Sequence, residues 1–524
     1  MSKQTVNRRK FLGLGVAAAA TAALPPVTVA DPAPRSAESL AFASAADAAR
    51  AIRRKEISSL ELTEHMLARI EKHNPKINAV VTVSADLARS MAKTADEALA
   101  RGDWFGPFHG VPWLVKDTYE TNGLKTTAGA VELKDHISTL DATVVTRMHH
   151  AGAVCLGKSN VPLFAADMQT YNKVFGTTNN PWDPTRSPGG STGGGAAALA
   201  AGLCFAALGS DIGGSIRNPA HFCGVYGHKT TYGIIPTTGE LASLPGGQPY
   251  PADQLSVAGP MARSATDLQD MLLMMAGPEA PESLALSWKL PVARATNLRN
   301  YRIGYVLDDA RCPVRPEVKA KLEETIAALR AAGAQLEEGW PKEIDVEAQF
   351  NTYAYLLLSS YVEAMPDEEA AKLRVLSKGS KVDLLTMRAR AFTDRHEGYV
   401  AALRDQLLHR RAWTSYFKTH DAFLMPTAFT TAFEHVQTEP LEFRAIRTPD
   451  GDRAYTDLLF WISFATMTGC PATIAPIGLA TNGLPVGIQI MGPYMEDAAR
   501  SGWPRCAHRA GRRGCRAARA GRRT

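Results

Sequence analysis

The first strong hydrophobic pattern in the chain is helical. Ser58-x-x-Glu61 is a capping box, in which hydroxyl and carboxylate satisfy each other's backbone N–H groups. Leu62, Met66 and Ile70 then recur every fourth residue, an apolar face that Asn74-Pro75 should close. Ala85–Ala100 repeats the pattern with Leu87, Met91 and Leu99, and Gly102 offers a stop. Val111–Val115 predicts a strand that delivers Lys116 at its end. Asp141–Ala151 reads as helix and Ala153–Leu156 as another short strand. Ala196–Ala201 is helix-forming by propensity, and Leu203–Leu208 (LCFAAL) is an apolar run of the kind that makes a buried strand. Farther on, Tyr301–Val306 predicts a strand and Pro316–Ala332 a helix with Val318, Leu322 and Ile326 on one face. Asp383–Arg411 reads as a long charged helical region, and Ala422–Met425 as a strand. No Pro/Ser-rich linker splits off a second domain.

Between these elements lies the stretch that carries chemistry, Ser187–Arg217, SPGGSTGGGAAALAAGLCFAALGSDIGGSIR. Two glycine-rich turns, bearing Ser191 and Ser215, flank one helix–strand unit. Glycine permits tight turns and close approach of a ligand to the main chain. In GSDIGGSIR the N–H groups of Ile212, Gly213, Gly214 and Ser215 could converge on one point, as an oxyanion hole requires. A phosphate loop would need GxxxxGK[ST], and no lysine follows these glycines. A flexible linker would not hold an apolar run between its glycine clusters.

GGSTGGGAAALAAG followed by GSDIGGSIRNPA resembles the amidase signature family. Gly110-Val-Pro-Trp-Leu-Val-Lys116-Asp117, NNPWDPTRSPGGS, Asp253–Asp267, Gly469–Gly478 and Gly483–Pro493 are similar to further family motifs, in the family's order, and the likeness runs roughly from Ala45 to Asp497. The resemblance implies a single large α/β domain, a mixed β-sheet sandwiched between helix layers, over residues 38–498. It implies that Lys116 is the base, Ser191 (after a cis peptide bond) the proton relay and Ser215 the nucleophile. Thr192, Asp211 and Arg217 would support the nucleophile's loop, Asp211 and Arg217 by hydrogen bonding. It also implies that the segment from about 300 to 411 covers the way into the site. By rough family position, Asp167, Met168, Gln169, Pro245–Tyr250 and Tyr455–Trp461 line the substrate pocket. Phe460 and Trp461 would accommodate an apolar group, unless they are ordinary core. Three departures stand out. Thr192 replaces a usual serine, Lys229-Thr230-Thr231 replaces Lys-Pro-Thr, and the chain after Asp497 is unlike the family.

The expected reaction is hydrolysis of an aryl or alkyl amide through a seryl acyl-enzyme. A carbamate or ester undergoes the same acyl attack. Two readings of another class are the A-type component of a tRNA-dependent amidotransferase and a catalytically silent binding protein on the same fold. The intact Lys116, Ser191 and Ser215 speak against the second. No cofactor or metal is expected. His221, Cys223 and His228 match a family stretch that binds none, and adjacent His149-His150 cannot face one ion from a regular helix.

The ends of the chain modify this picture. Arg8-Arg9, Phe11-Leu12, an alanine-rich run to Leu24 and Thr28-Val29-Ala30 read as a twin-arginine export signal over residues 1–30. The expected location is therefore the periplasm, reached after folding in a reducing compartment. The run is too short to span a bilayer, and no other stretch is a membrane span. The seven scattered cysteines then read as core thiols, not a disulfide framework. The formal charge of +6 is misleading, because residues 501–524 hold eight arginines and no acid. The remainder is near neutral, so nucleic acid is not an expected partner, whereas a small amide or carbamate and water are. The segment 499–524 lacks large apolar residues at helical spacing and reads as a disordered end without a catalytic role. A basic tail for an anionic surface and a reading-frame shift in a GC-rich gene both remain open for it.

Overall fold

The computed structural model describes residues 36–240, 254–295, 297–360, 367–377, 384–438 and 441–497. The export signal, the Arg-rich end and the pocket stretch Pro245–Tyr250 lie outside the described residues.

The frame is an 11-stranded mixed sheet. Its strands are β1 (Val80–Val83), β2 (Pro112–Lys116), β3 (Val154–Ser159), β4 (Ala206–Asp211), β5 (Tyr226–Lys229) and β6 (Val257–Ala262). They continue with β7 (Arg302–Tyr305), β8 (Gln335–Glu338), β9 (Ala422–Pro426), β10 (Ala472–Leu479) and β11 (Pro485–Met491). The spatial order is β1-β3-β2-β4-β6-β5-β10-β11-β9-β7-β8. β3, β2 and β4 run parallel, the neighbours from β4 to β9 pair antiparallel, and β9, β7 and β8 are parallel again. β2, β3, β4, β6 and β11 are buried along their whole length, as strands covered on both faces must be.

Helices cover the sheet. Those used below are α1 (Ser59–Ile77), α2 (Ala85–Arg101), α3 (Gly193–Ala200), α4 (Arg217–Cys223), α5 (Pro316–Ala331), α6 (Val346–Ser359), α7 (His396–Tyr416) and α8 (Phe460–Thr468). The capping box at Ser58 and Glu61 is formed. α1 does not stop at Asn74-Pro75; it runs through Pro75 to a left-handed Asn78. Pro75 lacks the N–H that would bond Glu71 O, but this loss falls in the last turn, which Asn74 anchors by accepting from Ala79 N and Val80 N and donating to Val80 O. The charged region 383–411 resolves into two helices, Leu384–Thr393 and α7. The five described cysteines, Cys155, Cys204, Cys223, Cys312 and Cys470, are buried thiols outside any disulfide.

Two differences bear on the site. The strand expected at 203–208 is β4, which starts at Ala206, because pairing with β2 begins there. Its last residue is therefore Asp211, at the start of the nucleophile loop. The helix expected from Ala196 begins at Gly193, inside the glycine cluster. A Cβ on Gly194 would lie 2.4 Å from Asn160 N, so the small residues let this helix press against β3's end.

Candidate active site

β2 delivers Lys116 into the interior at the carboxyl ends of the parallel strands. The side chain is fully buried. Its Nζ donates to Ser191 Oγ at 2.8 Å and to Ser210 Oγ at 2.7 Å. Burial pushes the Lys116 amine down to about 8, against the opposing pull of Glu240 and Asp211. A lysine in this state is a base available near neutral pH, which a solvated lysine is not.

Ser191 follows Gly190 through a cis peptide bond, as the resemblance implied. A Cβ on Gly190 would meet Gln169 O at 2.4 Å, so only glycine fits there. Thr192 N donates to Ser215 O at 3.1 Å, which binds the first glycine turn to the second. Thr192 Oγ1 donates to Ser210 O at 3.4 Å. Lys116, Ser191 and the turn carrying Ser215 thus form one connected, buried group. Ser191 is 1% and Ser215 6% exposed.

The Ser215 turn is held from inside by a fully buried ion pair. Asp211 accepts from Gly214 N (3.1 Å), Ile216 N (3.0 Å) and Arg217 N (3.2 Å). Arg217 adds Nε and Nη2 bonds of 3.0 and 2.7 Å to the same carboxylate. It also reaches Ile462 O, Gln489 Oε1 and Thr466 Oγ1. Burial alone would raise the Asp211 carboxyl; Arg217 and the backbone donors hold it below the usual carboxylate range. This geometry corrects one expectation. Gly214 N–H points inward to Asp211 and leaves the proposed set of oxyanion donors. The N–H groups of Ile212, Gly213 and Ser215 take part in none of these bonds.

The expected pocket residues divide. Asp167 accepts from Arg444 Nη1 at 2.6 Å and from Tyr455 Oη at 2.5 Å, and Arg444 Nη2 donates to Tyr171 Oη at 2.8 Å. This cluster sits one residue from Met168-Gln169, whose main chain abuts Gly190. Gln169 is no substrate ligand as placed, because its side-chain amide is bonded to both Val436 O and Val436 N. Met168 is in the core. Trp461 is core as well. It is fully buried, donates Nε1 to Cys312 O at 3.2 Å and stacks on Trp340 with rings 9° from parallel. Phe460 packs edge-on to Trp461 and Phe464. α8 is buried along its whole length, so its aromatics are used in packing. The side chains that come nearest a Cβ built on Gly213 are instead Leu459 (3.5 Å) and Tyr353 (3.9 Å). Leu459 lies within the expected stretch Tyr455–Trp461, whereas Ser210 and Tyr353 were not anticipated. Ser210 had one visible signal, a hydroxyl inside a buried strand beside the lysine-bearing one.

Both ring nitrogens of His221 and of His228 are engaged by protein partners. Among the described residues no group of His, Cys, Asp and Glu has a metal-holding arrangement.

The amidase family profile matches residues 61–499. The chain belongs to the amidase signature family. A curated relative from Synechococcus sp. (strain CC9605), the A-type component of its glutamyl-tRNA(Gln) amidotransferase, is 34% identical over 467 residues, covering 84% of this chain and 91% of its own. A bacterial aryl acylamidase of the amidase signature family superposes with a TM-score of 0.76 at 23% identity, over 92% of this chain and 99% of that one, a likeness of fold. The substrate complex of a 6-aminohexanoate cyclic dimer hydrolase superposes with a TM-score of 0.71 at 25% identity, over 90% and 97%. Membership in this family places the chain among enzymes of amide chemistry built on a Ser–Ser–Lys group, and its single α/β domain with a large mixed sheet is the one these neighbours share.

Proposed function

We propose that this amidase signature protein cleaves an amide C–N bond through an acyl-enzyme on Ser215. The observation that carries the proposal is the 2.8 Å bond between buried Lys116 and Ser191, on a turn bonded directly to that of Ser215. The neutral Lys116 amine takes the Ser191 proton as Ser191 takes that of Ser215. Ser215 Oγ then attacks the carbonyl carbon, and the oxyanion is received by backbone N–H groups of the 212–215 turn. The C–N bond breaks as the proton returns through Ser191 to the leaving amine. Water repeats the sequence, releases the acid and restores Ser215. Asp211 and Arg217 take no proton; they hold the turn.

The finer proposal is a free-standing hydrolase of an aryl or alkyl amide. Leu459 beside the turn supports it, since its side chain offers an apolar contact. Glutamine needs partners for its ammonium and carboxylate, while Asp167 and Arg444 are paired with each other. The Arg8-Arg9 signal also supports it, because an exported protein does not meet tRNA. A second reading has its own support: 34% identity to the A-type component of an amidotransferase favours glutamine as the amide and partner proteins as the assembly. Purified protein alone, given an anilide panel with matching esters and carbamates and separately glutamine, discriminates them. Aniline release without partner or ATP is the expected result. Ammonia from glutamine alone, with every anilide, ester and carbamate inert, moves the assignment to the second reading.

A further inference from the structure

Tyr353 lies on α6, far in sequence from the catalytic turns, and is fully buried. Its hydroxyl donates to the carbonyl oxygen of Ile212 at 3.1 Å. That carbonyl belongs to the peptide whose N–H is Gly213's. The cis bonds among the described residues are Gly190–Ser191 and Ala280–Pro281, so Ile212–Gly213 is trans. In a planar trans peptide the C=O and N–H point in opposite directions. A carbonyl drawn toward α6 therefore turns the Gly213 N–H away from α6. With Gly214 N–H committed to Asp211, the Gly213 N–H is one of the donors left for the developing oxyanion.

We infer that Tyr353 is a positioning residue: its hydroxyl fixes the plane of the Ile212–Gly213 peptide and so aims the Gly213 N–H at the oxyanion. The inference rests on the proposal that Ser215 is the nucleophile. Unlike the Asp211 staple, which is built within the turn, this restraint comes from a separate helix. Phe350, one turn away, packs its ring 6.4 Å from that of Tyr353, so Tyr353→Phe keeps the ring and its packing and removes the hydroxyl.

The test compares the unmodified protein with Tyr353→Phe on an amide that the unmodified protein hydrolyses, and on a trifluoromethyl ketone of the same acyl group. The ketone accepts Ser215 Oγ at its carbonyl carbon, the C=O π pair becomes the oxyanion, and the serine proton passes to the Ser191–Lys116 pair. The expected result is a kcat lower by about 10- to 100-fold, with KM within about twofold. Affinity for the ketone should fall by the same factor. A fluorophosphonate should still label Ser215, and Tm should stay within about 2 °C. Should the variant melt much lower, the ratio of ketone affinity to that for the product acid decides, since partial unfolding lowers both alike. Turnover and ketone affinity within twofold of the unmodified protein overturn the inference. A raised KM with unchanged kcat also overturns it, because Tyr353 is then a substrate contact. Failure of the fluorophosphonate to label Ser215 in the unmodified protein overturns the nucleophile proposal itself, and this inference with it.

Discussion

Lys116 shows how one residue's surroundings set its chemistry. Desolvation drives its amine down to about 8, and two serine hydroxyls occupy the space around Nζ. The protonated amine cannot act as a base, so kcat/KM for an amide should climb with pH and level off above about 8. A profile flat from pH 6 to 9 contradicts this base. Lys116→Ala and Ser191→Ala should each lower kcat by about 10²- to 10⁴-fold. The Lys116 variant should lose more on amides than on matched esters, because an amine leaves only when protonated. Lys116, Ser191 and Ser215 were legible in the sequence because glycine turns and ordered motifs surround them. Ser210 was not, since its meaning comes from the neighbouring strand: β2 and β4 set Val115 beside Leu208, which brings Lys116 within reach of Ser210. Trp461 could not be assigned to pocket or core for a related reason. An aromatic residue in an apolar helix carries no mark of the face it turns to the core.

At the scale of elements, the nucleophile turn is a strand end bent back by its own ion pair. Asp211 and Arg217 are both fully buried, so removing one charge strands the other. Asp211→Asn should cost about 3–5 kcal/mol, read as a lower urea midpoint. The sign of the pH dependence follows from the depressed carboxyl. Its contribution is fully present above the ordinary carboxylate range and is lost as pH falls through the lower folded value, so the native protein should lose part of its acid sensitivity in Asp211→Asn. The glycine-rich helix start makes a second prediction. Gly194→Ala places a Cβ 2.4 Å from Asn160 N and should lower Tm by several degrees, whereas Ala at Gly102, with open space around it, is limited by its left-handed backbone alone. Propensity placed the start of α3 at Ala196 because three glycines read as a turn. The close contacts that require them, Gly193 with Thr170, Gly194 with Asn160 and Gly195 with Ala207, are tertiary and leave no periodicity.

For the whole molecule, the sequence pattern marked β2, β3, β4, β7 and β9 as strands, while the other six strands and the sheet order were not legible. Strands such as β4 and β11 are buried on both faces, so their apolar runs carry no alternation to say which neighbour they choose. The family likeness supplied the architecture that periodicity could not. The described chain closes on Asp497, which is fully buried. It accepts from Thr231 N at 2.6 Å and Thr231 Oγ1 at 2.5 Å, and it pairs with His228 at 3.1 Å. This clasp joins the last described residue to β5 and to the turn after it. Asp497→Ala should therefore lower Tm by several degrees, consistent with loss of a buried charged network. Deleting Ser501–Thr524 should leave both Tm and kcat unchanged. A deletion that unfolds the protein would assign the Arg-rich segment a structural part.

The central claim is that Ser215 is acylated with help from Lys116 and Ser191. It is tested most directly by finding the atom that carries the acyl group. The protein should be mixed with an activated ester, quenched in acid during turnover, digested and examined by mass spectrometry. The account predicts an acyl adduct on Ser215, absent from Ser215→Ala and slow to form in Lys116→Ala. An adduct on Ser191 or on any other residue, formed at the rate of turnover, would contradict it.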